Sequence, residues 1–120
     1  MRPHESLDVW GKAVDFVVLV YKSTEHFPKE EKFGLTSQIR RAAVSIPANI
    51  AEGAGRKSIK EFLHFLSNAQ GSASEVETEL LIARRLDFLD ESTYLRLRSL
   101  LDEIGRMLTG LCHHLERRGG

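Results

Sequence analysis

Glu61 and His64 stand three residues apart, the E-x-x-H unit that di-iron carboxylate bundles place on facing helices to hold metal. Such a centre needs the unit twice together with two further glutamates, and this chain carries it once. Glu61 also follows Ser58 at the separation of a capping box, which gives it a structural use. His113 and His114 are adjacent, so on a helix their side chains diverge by about 100° and do not converge on one metal. With Arg117 and Arg118 they suit the negative end of a helix instead. Gly53, Gly55, Arg56, Lys57 and Ser58 resemble the end of a phosphate-binding loop, but no glycine precedes Lys57 and the segment follows helical pattern, not a strand. The single Cys112 sits beside Leu111 in an apolar run and reads as a small hydrophobe in a reduced, cytoplasmic protein. No Ser/His/Asp or Cys/His constellation is legible, so the expectation is a protein that is not an enzyme and holds no metal or cofactor.

The elements that carry these residues are helical nearly throughout. Leu97, Leu101, Ile104, Leu108, Leu111 and Leu115 are spaced 4, 3, 4, 3, 4, an apolar seam kept for almost three heptads. Phe62, Leu66, Ala69, Ala73, Val76, Leu80 and Ala83 repeat that spacing one helix earlier, behind the Ser58 and Glu61 capping pair. Between the two, LDFLDEST breaks the period, and Asp90 or Ser92 is placed to accept from the first amides of the last helix. Near the N-terminus, AVDFVVLVY is rich in β-branched residues and suits a buried strand, yet a lone strand would have no partner for its backbone. Trp10, Val14, Val17, Tyr21 and Thr24, spaced 4, 3, 4, 3, favour a helix. Its apolar residues spread beyond one stripe, so Phe16, Val18, Leu19 and Val20 are expected to meet a second copy of the chain.

The stretch SIPANIAEGAGRKS places a proline and two glycines between helical patterns. Leu35, Ile39, Ala42, Ile46, Ile50 and Gly53 fall at 4, 3, 4, 4, 3, so one apolar stripe runs straight through Pro47. The missing amide and the crowding ring of Pro47 predict a kink that costs roughly 3 kcal/mol in an isolated helix. Gly53 and Gly55 are then expected to end the helix in left-handed or extended conformations. HFPKEEKFG forms the longest connection, with room for a helical turn. The fold expected is all-α: a single domain over residues 1–120, built as an antiparallel up-down four-helix bundle with a proline-kinked second helix.

Seventeen Lys and Arg balance seventeen Asp and Glu, which argues against bulk electrostatic coating of nucleic acid. The N-terminus lacks the apolar core of a signal peptide, and no window approaches the length of a membrane span. The balance hides a polarity along the chain. Residues 29–60 carry seven basic against three acidic residues, whereas residues 61–103 carry four against nine. Such asymmetry serves either a polyanion on one surface or complementary contacts between copies of the chain.

The runs QIRRAAVSIPANIAEGAGR and EFLHFLSNAQGSASEVETELLIA resemble the four-helix-bundle family of 23S rRNA intervening-sequence proteins, and the likeness extends over nearly the whole chain from LDVWGKAVDFV onward. The resemblance implies an antiparallel four-helix bundle that assembles as a ring, a homopentamer, with no established activity. More remotely, the chain is similar to the accessory variability proteins of diversity-generating retroelements, barrel-like pentamers that bind nucleic acid and a reverse transcriptase.

Two functions from different classes follow. In one, a nucleic-acid-associated ring binds RNA or DNA through Arg40, Arg41, Arg56, Lys57 and Lys60 on the second helix and the following turn, multiplied over the copies. In the other, a protein-interaction scaffold pairs the same charges between subunits or with a partner protein. Most Phe, Trp and Tyr residues fall at seam positions, so nucleic-acid contacts are expected to be to phosphates, with little sequence preference.

Overall fold

The computed structural model describes residues 1–119. Four helices follow one another: α1 (Asp8–Thr24), α2 (Leu35–Ala54), α3 (Ile59–Arg85) and α4 (Glu91–Gly119), with short 3-10 turns at Pro3–Ser6 and Lys29–Glu31. The second of these turns occupies the long α1–α2 connection, where the sequence leaves room for one.

Three of the four helices start at a side-chain hydrogen bond to a free amide. Ser58 Oγ accepts the amide of Glu61 at 3.1 Å and caps α3. Asp90 Oδ1 accepts the amide of Thr93 at 2.7 Å and opens α4, and that charge-assisted bond holds the Asp90 carboxyl below its ordinary range. Glu31 reaches forward to accept the amide of Leu35 at 3.0 Å and starts α2. The α3 terminus closes as a Schellman turn, with the amide of Phe88 on the carbonyl of Ala83 at 2.9 Å and that of Asp87 on Arg84 at 3.1 Å. Asp87 takes the left-handed conformation there, at φ 63°.

The helices pack in sequence order around a closed square, α4 returning to α1. Ser72 meets Ser45, and Phe62 and Phe65 meet Gly53, so the α3 numbers rise as the α2 numbers fall and the two run antiparallel. Arg98 to Glu77 and Gly119 to Ile59 set the same sense for α4 on α3, within a body 47 × 22 × 22 Å. The core is the expected seam of α2, α3 and α4: Ile39, Ile46, Ile50, Leu66, Val76, Leu80, Leu97, Ile104 and Leu108 are all fully buried.

Two expectations are corrected. On α1 the buried stripe is Val9, Ala13, Phe16, Val20 and Thr24; of the stripe read through Trp10, Val14, Val17, Tyr21 and Thr24 only Thr24 lies on it, and the other four each stand one residue away. Apolar residues run without a break from Phe16 to Tyr21, so spacing alone could not choose the register. On α2, the helix continues through buried Pro47 to Ala54 and no glycine has positive φ. Gly53 is a packing residue: a Cβ there would lie 2.8 Å from Phe65 Cβ and 3.2 Å from the Phe62 carbonyl oxygen. Its missing side chain is what lets α3 lie against α2.

Candidate functional site

Antiparallel packing decides which of the cations on α2 and the following turn share a surface. Arg40 turns toward α1. Its Nε donates to Thr24 Oγ1 at 2.9 Å, its Nη2 to the Tyr21 carbonyl at 3.3 Å, and its guanidinium lies 4.5 Å from the Tyr21 ring centre. It thereby satisfies one carbonyl at the end of α1, and two of its five donors are bonded within the chain. Arg41, about 100° further round the helix, faces α3 and lines a polar groove with Gln38, Ser45, Ser72 and Glu75.

Arg56, Lys57 and Lys60 lie at the far end of α2 and the start of α3, all exposed. At 1.5 Å per residue, about 20 Å of helix separates them from Arg41. The five cations therefore split into two places, which corrects the single cluster read from the sequence. Arg56 stacks on Phe65 at 4.8 Å and lies 3.5 Å from Glu52. Lys57 and Lys60 form no ion pair with a described residue.

The α4 C-terminus arrives at this same end. Glu116 and Gly119 line a groove with Ile59, Lys60 and Leu63, and a Cβ on Gly119 would approach Ile59 Cγ2 at 3.0 Å. Exposed Arg117 and Arg118 are carried there with it. Sequence reading assigned these two to helix capping; their 57-residue distance from Lys60 gave no signal of proximity, and only antiparallel packing of α3 and α4 supplies it.

The residues expected at an oligomer contact also divide. Phe16 and Val20 are fully buried in the core of their own chain, because the α1 seam runs through them, and this corrects their assignment to a partner surface. Val18 is exposed and Leu19 half-buried against the core, and the two line a groove of about 540 Å³ with Leu100 from α4, rimmed by Asp15, Lys22 and Arg96. Val18 is 48% exposed and Leu95, at the same level of α4, 56%.

Glu61 and His64 both lie on the exposed side of α3, and no group of three metal-ligating side chains occurs among the described residues. Cys112 is half-buried, and burial pushes its thiol up from its ordinary value, aided by Glu116. Glu79 is the polar group that sequence reading missed. It is 7% exposed, on the α2-facing side of α3, with Oε1 buried and unpartnered among the described residues. Burial, reinforced by the charge of Glu75 one turn away, pushes its carboxyl up to about 7.

Among the described residues no helix is long and apolar enough to cross a membrane. No curated protein matches the chain. A solved structure from Bacteroides thetaiotaomicron, of a protein with unknown function from the S23 ribosomal protein family, is similar at a TM-score of 0.78 and 27% sequence identity, covering 87% of this chain and 97% of that one. Residues 5–110 match the family of the 23S rRNA-intervening sequence protein. With four antiparallel helices in place and that match spanning most of its length, the chain belongs to the 23S rRNA-intervening sequence protein family.

Proposed function

We propose that this chain is a non-enzymatic, ring-forming helical bundle of the cytoplasm, a homopentamer, that holds nucleic acid by its phosphates through the end of the bundle bearing Arg56, Lys57 and Lys60. The observation that carries the reading is the exposure of Lys57 and Lys60, without ion-pair partners among the described residues, at the turn between α2 and α3. Copies in a ring would repeat this modest patch, and linked weak contacts raise overall affinity without any new chemistry. Arg40 and Arg41 have no part in it. The groove lined by Val18, Leu19 and Leu100 supports self-association, since exposed Val18 and Leu95 place apolar surface there on two adjacent helices.

The same groove favours a second reading, in which a partner protein occupies it and the surface charges pair across that contact. Filter-binding titration against an RNA duplex of about 20 base pairs, at about 50 and 200 mM salt, separates the two. The nucleic-acid reading expects micromolar or tighter binding that weakens steeply with salt and is lost in Lys57→Glu/Lys60→Glu. No binding below tens of micromolar at the lower salt, or binding indifferent to salt, overturns it. Sedimentation of Val18→Glu/Leu95→Glu tests assembly: the wild type should sediment as a ring and the variant as a smaller species, whereas a wild type that is a stable monomer at micromolar concentration removes the ring.

A further inference from the structure

The geometry points to Arg117 and Arg118 as part of the same anion-binding surface, and to a double-stranded nucleic acid, not a single strand, as what that surface takes. The inference rests on the nucleic-acid reading above and extends it in residues and in ligand class.

The placement comes from packing. The last turn of α4 lies on the first turn of α3, with Gly119 against Ile59 and Glu116 beside Lys60. Arg117 and Arg118 are exposed on either side of that contact and form no ion pair with a described residue. Five cations, Arg56, Lys57, Lys60, Arg117 and Arg118, then share one end of a bundle 22 Å across. Five acids stand at this end, Glu52, Glu61 and Glu116 together with Glu5 and Asp8 from the turn before α1 and its first residue, Glu52 already beside Arg56, while exposed Arg2 adds a sixth cation. The excess is positive, and it is drawn from segments that are far apart in the chain.

The ligand class comes from what this end lacks. Proteins that hold single strands stack bases on exposed aromatic rings. The exposed aromatic side chains here are Tyr21, at the end of α1, and Phe33, before α2, both at the opposite end of the bundle. Near the basic end, Phe65 lies beneath the Arg56 guanidinium, Phe62 packs over Gly53, and Trp10, at the start of α1, is half-buried with its ring edge-on to His4 at 4.9 Å. Cations without a stacking platform read phosphates alone. A duplex, with one charge per about 1.7 Å of axis, presents the denser phosphate array.

The test compares wild type, Arg117→Ser/Arg118→Ser and Arg106→Ser on DNA and RNA duplexes and on a single strand of equal length, across a salt series. Arg106 is exposed on α4 about 17 Å from Arg117 at 1.5 Å per residue, and serves as a charge control. Wild type should bind duplex tighter than single strand. The double variant should lose about two phosphate contacts, so that its affinity drop between about 50 and 200 mM salt is about tenfold smaller than wild type's. Arg106→Ser should retain the wild-type slope, and dichroism melts should show both variants folded. If wild type binds duplex but the double variant keeps its slope, or the single strand binds tighter, or Arg106→Ser loses as much, this inference fails and the parent reading stands. If wild type binds none of the probes, both fail.

Discussion

Glu79→Gln should stabilise this protein, and only on one side of neutrality. The carboxyl ordinarily titrates near 4.5 and in the bundle near 7. The folded chain thus keeps a proton that the unfolded chain releases between those values. Stability from this group is complete below about pH 4.5, drains as pH rises toward about 7, and is absent above it. The rise from 4.5 to about 7 amounts to about 3 kcal/mol. A glutamine removes the buried charge but leaves an amide short of partners, at about 1 kcal/mol. The net gain at pH 8 is therefore about 2 kcal/mol, a rise in Tm of roughly 8 °C for a domain of this size. At pH 5, where the folded wild type is already protonated, the two proteins should differ by less than about 1 kcal/mol. Urea unfolding at both pH values and one fixed protein concentration reads the difference, and the titration of other groups cancels between variant and wild type. An equal loss at both values, or a gain that does not change with pH, would refute the assignment of a desolvated, unpartnered carboxyl to Glu79.

Gly53→Ala, a change that ordinarily favours a helix, should instead destabilise by about 1 to 3 kcal/mol, because the new Cβ meets Phe65 Cβ and the Phe62 carbonyl; chemical denaturation measures it. Arg40→Ala should cost about 1 to 2 kcal/mol through the lost bonds to Thr24 and Tyr21, whereas Arg41→Ala should stay within about 0.5 kcal/mol in the same assay. Asp87→Gly should raise stability by about 0.5 to 1 kcal/mol in thermal melts, because glycine takes the left-handed position after α3 without steric penalty.

Much of this protein is written in the spacing of its side chains. The seams of α2, α3 and α4 each present one apolar stripe, so Leu66, Val76, Leu97 and Ile104 could be assigned to the core without knowledge of their neighbours. Ser58 and Asp90 were readable as caps because a cap is a contact over three residues. On α1 the signal failed, since a helix apolar on nearly every side has no single stripe and its register is set by the helices around it. Pro47 lies inside α2, as the spacing predicts, while Gly53, expected to end the helix, is a point of close approach that depends on where Phe62 and Phe65 fall.

The candidate site divides along the same line. Sequence determined that cations gather between α2 and α3, because Arg56, Lys57 and Lys60 are near neighbours in the chain. Only the tertiary structure decided that Arg40 belongs to α1, that Arg41 shares a groove with Glu75, and that Arg117 and Arg118 are carried to the same end of the bundle as Lys60. It also decided that Glu79 is buried. The physical reason is range: periodicity and capping act over one helical turn, whereas charge proximity and desolvation depend on which faces antiparallel helices bring together.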